Sequence, residues 1–361
     1  MIKIYFYPYA SLRDRQLDTM RNWPSDEVVS PKVSAKRHGV QVSAGYAKAS
    51  KLRKSWKSHI PLINVKFRPR KAPKDSVIYV WGAVVSKGNF IVDLDNPWSL
   101  TGYNLRAMSL YKPILKYILN SSRCLEIRCI SETCRLSLKA VFGQAIYDKS
   151  SLHYPFIPQK VSSAASAITD SCRFLFVGTQ FEIKGGEALL KAFKRVYAQV
   201  PSAQLDVVTH LPTKYIDLAK SCAGIHVHKP RFTRDEIHEK FMRKADVLVS
   251  PTYAESFSMV SREGLSHGLA LIATDVYALR EMVEDGRNGY LIKPPISIWD
   301  GIMPSRYFYD IKNIKKHIEK TDTMLFEEKL ERAMYEFSVN PEFRLTAKQE
   351  SLRIIEERFI C

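Results

Sequence analysis

The sequence predicts an α/β protein with parallel sheets, and three observations carry that expectation. Short apolar runs rich in β-branched residues alternate with longer segments of helical period through most of the 361 residues. The clearest case is a strand over 246–250, a loop, a helix over 257–268, a strand over 269–274 and a second helix through Glu284. That order is a right-handed parallel crossover, with its loop at the carboxyl end of the sheet, where ligands bind in open α/β folds. A length of 361 residues at 45% hydrophobic content is also enough for two domains with their own cores.

The loop and helix after the 246–250 strand hold two acids, Glu255 and Glu263. Glu263 lies six residues beyond Phe257, roughly 9 Å along a helix axis at 1.5 Å per residue. Near Phe257 the backbone N–H groups of Ser258, Met259 and Val260 are expected to be unpaired donors of a helix start, suited to an anion or to sugar oxygens. Two carboxylates so placed can grip hydroxyls at two ends of an elongated ligand. Two acids at that spacing can equally be a solvated helix face.

The wider pattern favours a ligand site. The segment from Glu255 to Val276, ESFSMVSREGLSHGLALIATDV, resembles the E-x7-E segment of retaining GT-B glycosyltransferases of the family-4 type. The likeness continues through Glu281 and the Asp285-Gly286-Arg287-Asn288-Gly289 run. Upstream, the strand ending at Gly178 and the Lys184-Gly185-Gly186 turn resemble the family's nucleotide-diphosphate loop. The resemblance spans about residues 172–295. Departures are Ser256, Ser258 and Gly264, where Gly, Gly and Ala are usual, and Thr179, where Arg is common.

The resemblance implies a GT-B architecture: two Rossmann-like domains whose parallel sheets face each other across a cleft. It implies a donor site made by Gly178, Thr179, Lys184, Gly185, Phe257, Ser258, Met259, Val260 and Glu263. Glu255 would hold sugar hydroxyls, Glu263 the ribose and Lys184 the diphosphate. Catalytic roles fall to Glu255, Lys184 and Asp95. The donor would be a nucleotide-diphosphate sugar, with no cofactor or metal required, and the acceptor a glycan or lipid-linked molecule. Transfer would proceed with retention of configuration, as in cell-envelope polysaccharide assembly.

In the amino-terminal half, strands are expected over 3–7, 76–81, 89–94 and 124–130, with a helix over 111–119. Ser131 is a suitable N-cap for a helix through Phe142. Asp93, Asp95 and Asn96, before Pro97, end the 89–94 strand, and their side chains are expected to face the cleft. In the family this loop often reads His-Asp-Pro, which would put Asp95 at the His position. The same acids could instead form the DxD metal motif of GT-A enzymes, or an Asx turn. The loop after the first strand, from Tyr7 through Pro8 to Arg13, lacks the Gly-Gly turn of many relatives.

Domain boundaries follow composition. Residues 1–153 form the first domain, and the Pro- and Ser-rich stretch 154–171 is a hinge. Residues 172–340 form the second domain, with strands over 172–177, 203–209 and 224–228, and helices over 187–200, 213–222, 234–244, 307–320 and 324–337. The last helix, within 341–361, carries Leu352, Ile355 and Phe359 as a stripe. By resemblance it would cross back to the first domain.

The net charge is +18, and residues 1–75 hold 17 Lys/Arg against 5 Asp/Glu. No acid falls between Val28 and Lys74. Within this run, residues 47–60 place Leu52, Trp56 and Ile60 on one helical face flanked by Lys51, Lys54 and Lys57. Residues 28–74 are therefore expected to meet an anionic membrane, or to pack their apolar stripe on the protein's own sheet. Six cysteines show no CxxC spacing and read as reduced thiols of a cytoplasmic protein on the inner membrane face. Scattered histidines, His210, His226, His228, His238 and His267, show no metal spacing and are expected to be exposed or satisfied in the core. Two other classes remain open. A glycoside hydrolase also uses paired carboxylates, and a basic nucleic-acid-binding protein would suit the charge, although no recognition motif is present and no nucleic acid is expected.

Overall fold

The computed structural model describes residues 2–7, 14–30, 62–157, 160–161 and 171–359. The basic run 47–60, most of the hinge and the loop after Tyr7 lie outside these residues. The chain divides into two compact units, with the boundary between Phe156 and Ile157.

The first unit is built on β1 (Ile4–Tyr7), β2 (Val65–Lys66), β3 (Val77–Trp81), β4 (Val84–Val85), β5 (Phe90–Leu94), β6 (Cys124–Cys129) and β7 (Ser150–Leu152). Its main sheet is parallel in the order β1-β3-β5-β6-β7, and β2 pairs with β4. All five residues of β5 are buried, as expected of a central strand covered on both faces. One side of the sheet is held by Ile4, Phe6, Val77, Tyr79 and Ile91, with Trp23 and Trp81 against them. Phe6 and Tyr79 sit 4.8 Å apart, centroid to centroid.

Ser131 caps the helix Glu132–Phe142 as expected, its hydroxyl accepting from Cys134 N–H at 3.0 Å. The helix expected over 111–119 is longer, Leu105–Asn120, because Asn104 accepts from Ala107 N–H at 3.0 Å and starts it a turn and a half earlier. Pro113 inside it is exposed, where water can serve the carbonyl left without its donor.

The second unit carries β8 (Arg173–Val177), β9 (Gln204–Val208), β10 (Ile225–His228), β11 (Val247–Ser250), β12 (Ala270–Thr274) and β13 (Gly289–Ile292). They form one parallel sheet in the order β10-β9-β8-β11-β12-β13. This is the doubly wound order whose direction of winding reverses between its first and fourth strands, here β8 and β11. A small hairpin, β14 (Trp299–Asp300) with β15 (Met303–Pro304), follows. At Gly289 an added Cβ would lie 1.7 Å from Leu271 O, so only glycine lets β13 join β12 there.

Several helices differ from expectation. The second crossover helix, expected through Glu284, is a short 3-10 turn, Tyr277–Glu281. Tyr277 has φ 49°, and Asn288 takes the Glu284 N–H at 2.7 Å, which ends the turn. The 307–320 helix is broken into Arg306–Tyr309, Ile311–Asn313 and Ile314–Glu319. The break is at Asp310, whose carboxylate accepts from Asn313 and faces His317. Met324–Val339 packs on the helix Gly186–Gln199, where Arg195 pairs with Glu331 at 2.5 Å. The last helix, Pro341–Ile354, continues as a π turn to Phe359 and packs on the helix Met259–Ser266 within the second unit. Among the described residues no helix is long and apolar enough to cross a membrane.

Candidate functional site

The sheet order of the second unit decides where its site lies. Loops after β8 and β11 leave the switch point from adjacent strands, so they meet at its carboxyl end. Lys184 comes from the first loop and Glu255 from the second. Their Nζ and Oε2 stand 2.5 Å apart, and the same ammonium donates to Ala254 O at 3.3 Å. Both side chains are about a quarter exposed. Lys184 and Glu255 are thus brought into contact by the sheet order, although 71 residues separate them.

Two glycines permit this approach. Gly185 has φ +75°, and a Cβ there would come within 2.0 Å of Pro251 O, so the lysine loop rests directly on the start of the Glu255 loop. The Tyr253 N–H donating to Ile183 O at 3.0 Å ties the loops again. Gly178 follows β8 and lies against the lysine stem. Its carbonyl accepts from Thr209 at 2.5 Å, while Thr179 beside it is exposed. Glu255 is fixed at its own backbone by the Trp299 indole, which donates to Glu255 O at 2.7 Å and stacks on Tyr277 at 4.2 Å. Trp299 comes from the β14 hairpin, 44 residues on. Nothing in the Glu255 segment points to it.

The helix after the loop starts at Met259 rather than near Phe257. Ser258 is its N-cap, in a left-handed conformation with φ 44°, and its hydroxyl accepts from Ser261 N–H. Of the three amides expected to be open, those of Met259 and Val260 are the first two of the helix, which have no carbonyl partner one turn back. Ser258 instead serves as the cap. Phe257 is buried beneath.

Glu263 occupies a different environment from Glu255. It is 7% exposed, and Oε1 accepts from Arg234 Nε at 2.6 Å. His238 Nε2 stands 3.6 Å from Oε2, outside hydrogen-bond reach. Burial alone would push the Glu263 carboxyl up, but His238 and the Arg234 guanidinium outweigh it and hold it below the ordinary carboxylate value. Arg234 opens a short helix, Arg234–Ile237, behind a capping box made by Thr233 and Glu236. Sequence reasoning missed Arg234. The capping-box pattern was legible, but the arginine's partner lies 29 residues away.

The histidine expectation needs correction. His226 and His228 are satisfied, by Gln204 and Asp206. His238 and His267 are buried, with rings edge-to-face at 4.9 Å, and among the described residues their ring nitrogens have no hydrogen-bond partner. Burial foremost, then neighbouring His238, Lys160 and Arg243, push His267 down to about 4.

In the first unit Asp93 does not present its side chain to open space. It is 4% exposed, accepts from Arg15 Nη1 at 2.6 Å, and accepts from the Tyr79 hydroxyl at 2.8 Å. Asp95 is partly buried, with its Oδ2 accepting from Tyr103 at 3.0 Å and its Oδ1 from Asn96 N–H. Burial raises Asp95 above the ordinary carboxylate value, against the opposing pull of Arg15 and Tyr103. Asn96 accepts from Trp98 N–H, so the Asx-turn alternative is the one realised at that residue. Both oxygens of each acid are thus committed to protein donors, an arrangement unlike a DxD metal cradle. Cys124, Cys129, Cys134, Cys172 and Cys222 are buried free thiols.

Across the chain, the fold is that of GT-B glycosyltransferases. Anabaena Alr3699/HepE in complex with UDP superposes with a TM-score of 0.53 at 13% identity, covering 98% of this chain and 100% of that one. A mutant of S. aureus TarM, in complex with fondaparinux, alpha-GlcNAc-glycerol and UDP, gives 0.53 at 12% identity over 80% of this chain and 53% of that one.

Residues 171–301 match the model of the family described as glycosyl transferases group 1. A D-inositol 3-phosphate glycosyltransferase of Paenarthrobacter aurescens is 25% identical over 178 residues, 47% of this chain and 42% of that protein. A phosphatidyl-myo-inositol mannosyltransferase of Mycobacterium tuberculosis is 32% identical over 120 residues, 33% of this chain and 32% of that protein. The chain thus spans less than half the length of these curated relatives.

Proposed function

We propose that this protein is a retaining glycosyltransferase that moves a hexose-like sugar from a nucleotide diphosphate to a glycan or lipid-linked acceptor. The observation that carries the reading is the Lys184–Glu255 pair at the carboxyl end of β8 and β11, where a doubly wound sheet offers its ligand crevice. A cation and an open helix start suit a diphosphate, and a carboxylate beside them suits sugar hydroxyls. The solved GT-B neighbours hold UDP, which fits a nucleotide donor for this chain as well.

On this reading Lys184 neutralises the diphosphate, and Glu255 exchanges its ammonium partner for sugar hydroxyls when donor enters. The amides of Met259 and Val260 stabilise charge that grows on the leaving diphosphate, the term most able to lower the barrier. Glu263 offers its Oε2 to the ribose while Arg234 holds Oε1. Gly178, Thr179, Gly185 and Phe257 shape the loops around the donor. Asp95 belongs to the acceptor side. No cofactor or metal takes part. The setting is cell-envelope glycan assembly on the cytoplasmic face of a membrane.

The test is a melting-temperature screen against nucleoside diphosphates and their sugars. A nucleotide at a hundred times its Kd adds about 2.7 kcal/mol, a rise of about 5–10 °C for a domain of this size. A flat response to every nucleotide, with free sugar released from a glycan in their absence, would replace the transferase reading with a hydrolase. A flat response with a salt-sensitive gel shift would replace it with nucleic-acid binding.

A further inference from the structure

We infer that Trp299 is a positioning residue for the donor sugar, holding the Glu255 backbone in place once Lys184 releases the Glu255 carboxylate. The inference rests on the donor-site reading. Residues 253–255 are gripped from two sides. From the lysine loop, Ile183 O accepts from Tyr253 N–H at 3.0 Å. The Lys184 ammonium donates to Ala254 O at 3.3 Å and to the Glu255 carboxylate at 2.5 Å. From the β14 hairpin, Ile298 N–H donates to Tyr253 O at 3.2 Å and the Trp299 indole N–H to Glu255 O at 2.7 Å. The hairpin thus takes two carbonyls two positions apart, the second belonging to the acid itself.

The two grips differ in what a donor does to them. A diphosphate draws the ammonium and sugar hydroxyls draw the carboxylate, so the ion pair is exchanged when donor enters. The bond from Trp299 joins an uncharged indole to a main-chain oxygen, and it can persist through that exchange. Packing fixes the indole. Trp299 is 5% exposed, stacks on Tyr277 at 4.2 Å with 25° between the ring planes, and meets Phe308 at 5.0 Å in an edge-on contact. Tyr277 keeps φ 49°, which a bulky residue holds only where its surroundings over-determine it. Gly301, with φ +57°, turns the hairpin between Asp300 and Met303. A strained residue and three packed rings therefore converge on one main-chain oxygen of the Glu255 loop. A hairpin that only stabilised the second unit would affect every ligand alike. One that holds Glu255 affects the sugar and spares the nucleotide.

Titration calorimetry on the full chain separates these cases, with UDP, GDP and ADP and the conjugates UDP-glucose, GDP-mannose and ADP-glucose as probes. Release of nucleoside diphosphate from each conjugate is followed beside it. Trp299→Phe keeps the ring packing and removes the N–H. Its nucleotide Kd should stay within about twofold of wild type, while the ratio of conjugate Kd to nucleotide Kd shifts about tenfold against the sugar. Release should slow roughly ten- to a hundredfold. In a Glu255→Ala background, Trp299→Phe should change the ratio no further, because it acts through Glu255. Equal losses for nucleotide and conjugate, a ratio equal to that of wild type, or effects of Trp299→Phe and Glu255→Ala that multiply in full would each overturn the inference. Should Trp299→Phe not fold, Phe308→Leu loosens the indole without removing its N–H. It should shift the ratio in the same direction by less, and an unshifted ratio there overturns the inference too. A wild type indifferent to every probe removes the donor-site reading and this inference with it, an outcome distinct from the others.

Discussion

Replacing Lys184 with Met tests the proposed donor site most directly, because methionine keeps the stem and removes only the charge. In the structure the ammonium is held by Glu255 at 2.5 Å and by Ala254 O at 3.3 Å. With both side chains about a quarter exposed, that pair is worth about 1 kcal/mol at most. The same ammonium about 4 Å from a diphosphate charge, at an effective dielectric near 20, gains about 4 kcal/mol. The net contribution to nucleotide binding is therefore about 3 kcal/mol, or roughly a hundredfold in Kd. Titration calorimetry should show that loss for a nucleoside diphosphate in Lys184→Met. The matching nucleoside, which lacks phosphates, should bind within about twofold of wild type, since only phosphate charge meets the missing ammonium. Glu255→Gln removes the competing partner, so the sugar-free nucleotide should bind up to about fivefold tighter. Diphosphate affinity changing less than about threefold in Lys184→Met, or nucleoside affinity falling in parallel, would refute the assignment.

Two further outcomes concern the buried acid and its surroundings. Arg234→Ala leaves Glu263 as an uncompensated carboxylate at 7% exposure, which should cost about 3 kcal/mol in urea unfolding, with most of it restored by adding Glu263→Gln. A loss below about 1 kcal/mol would show that water reaches the carboxylate freely. Acid should destabilise the second unit in two stages. His267 is held down to about 4 in the fold against an ordinary 6.5, so the unfolded chain binds more protons between those values and stability falls as pH drops through that window. Glu263 is depressed below 4.5, so its contribution is present above that value and is lost as pH falls further. Melting temperature followed from pH 7.5 to 4 should decline, and His267→Phe should flatten the upper part. An unchanged slope in that variant would remove His267 as the cause.

Features fixed by near neighbours were legible in the chain. The strand Val247–Ser250, the Ser131 cap and the loop bearing Glu255 each follow from residues within a few positions. The meeting of Lys184 with Glu255 was readable only through the resemblance of two motifs, because sheet order sets it and sheet order is not written locally. Arg234 beside Glu263, and Trp299 under Glu255, were not readable at all: each is a single polar contact across 29 or 44 residues. Tyr277 at positive φ defeats local propensity outright, since an aromatic residue gives no sign of accepting that conformation. His238 and His267 sit on elements whose patterning suggested ordinary satisfied side chains. Their burial together depends on how the helix Met259–Ser266 meets the π turn His238–Met242.

The two glutamates, eight positions apart in sequence, show why the paired-carboxylate reading as a hydrolase fails on physical grounds. A glycosidase needs one acid whose carboxyl stays protonated near neutrality, which calls for an apolar pocket without a compensating cation. Glu263 has the burial but also has Arg234 at 2.6 Å, and its carboxyl is held down rather than up. Glu255 has its two carboxylate oxygens taken by the Lys184 ammonium and the Ser256 N–H. Neither residue is thus placed to hand a proton to a departing alkoxide. A departing diphosphate needs no such proton, because its charge can be met by an ammonium and by amides at a helix start. Lys184 and the open end of the helix Met259–Ser266 supply both beside the sheet's switch point. Donors so placed suit negative charge on a leaving group, and on the proposed reading that is the chemical difference between transferring an activated sugar and hydrolysing an unactivated one.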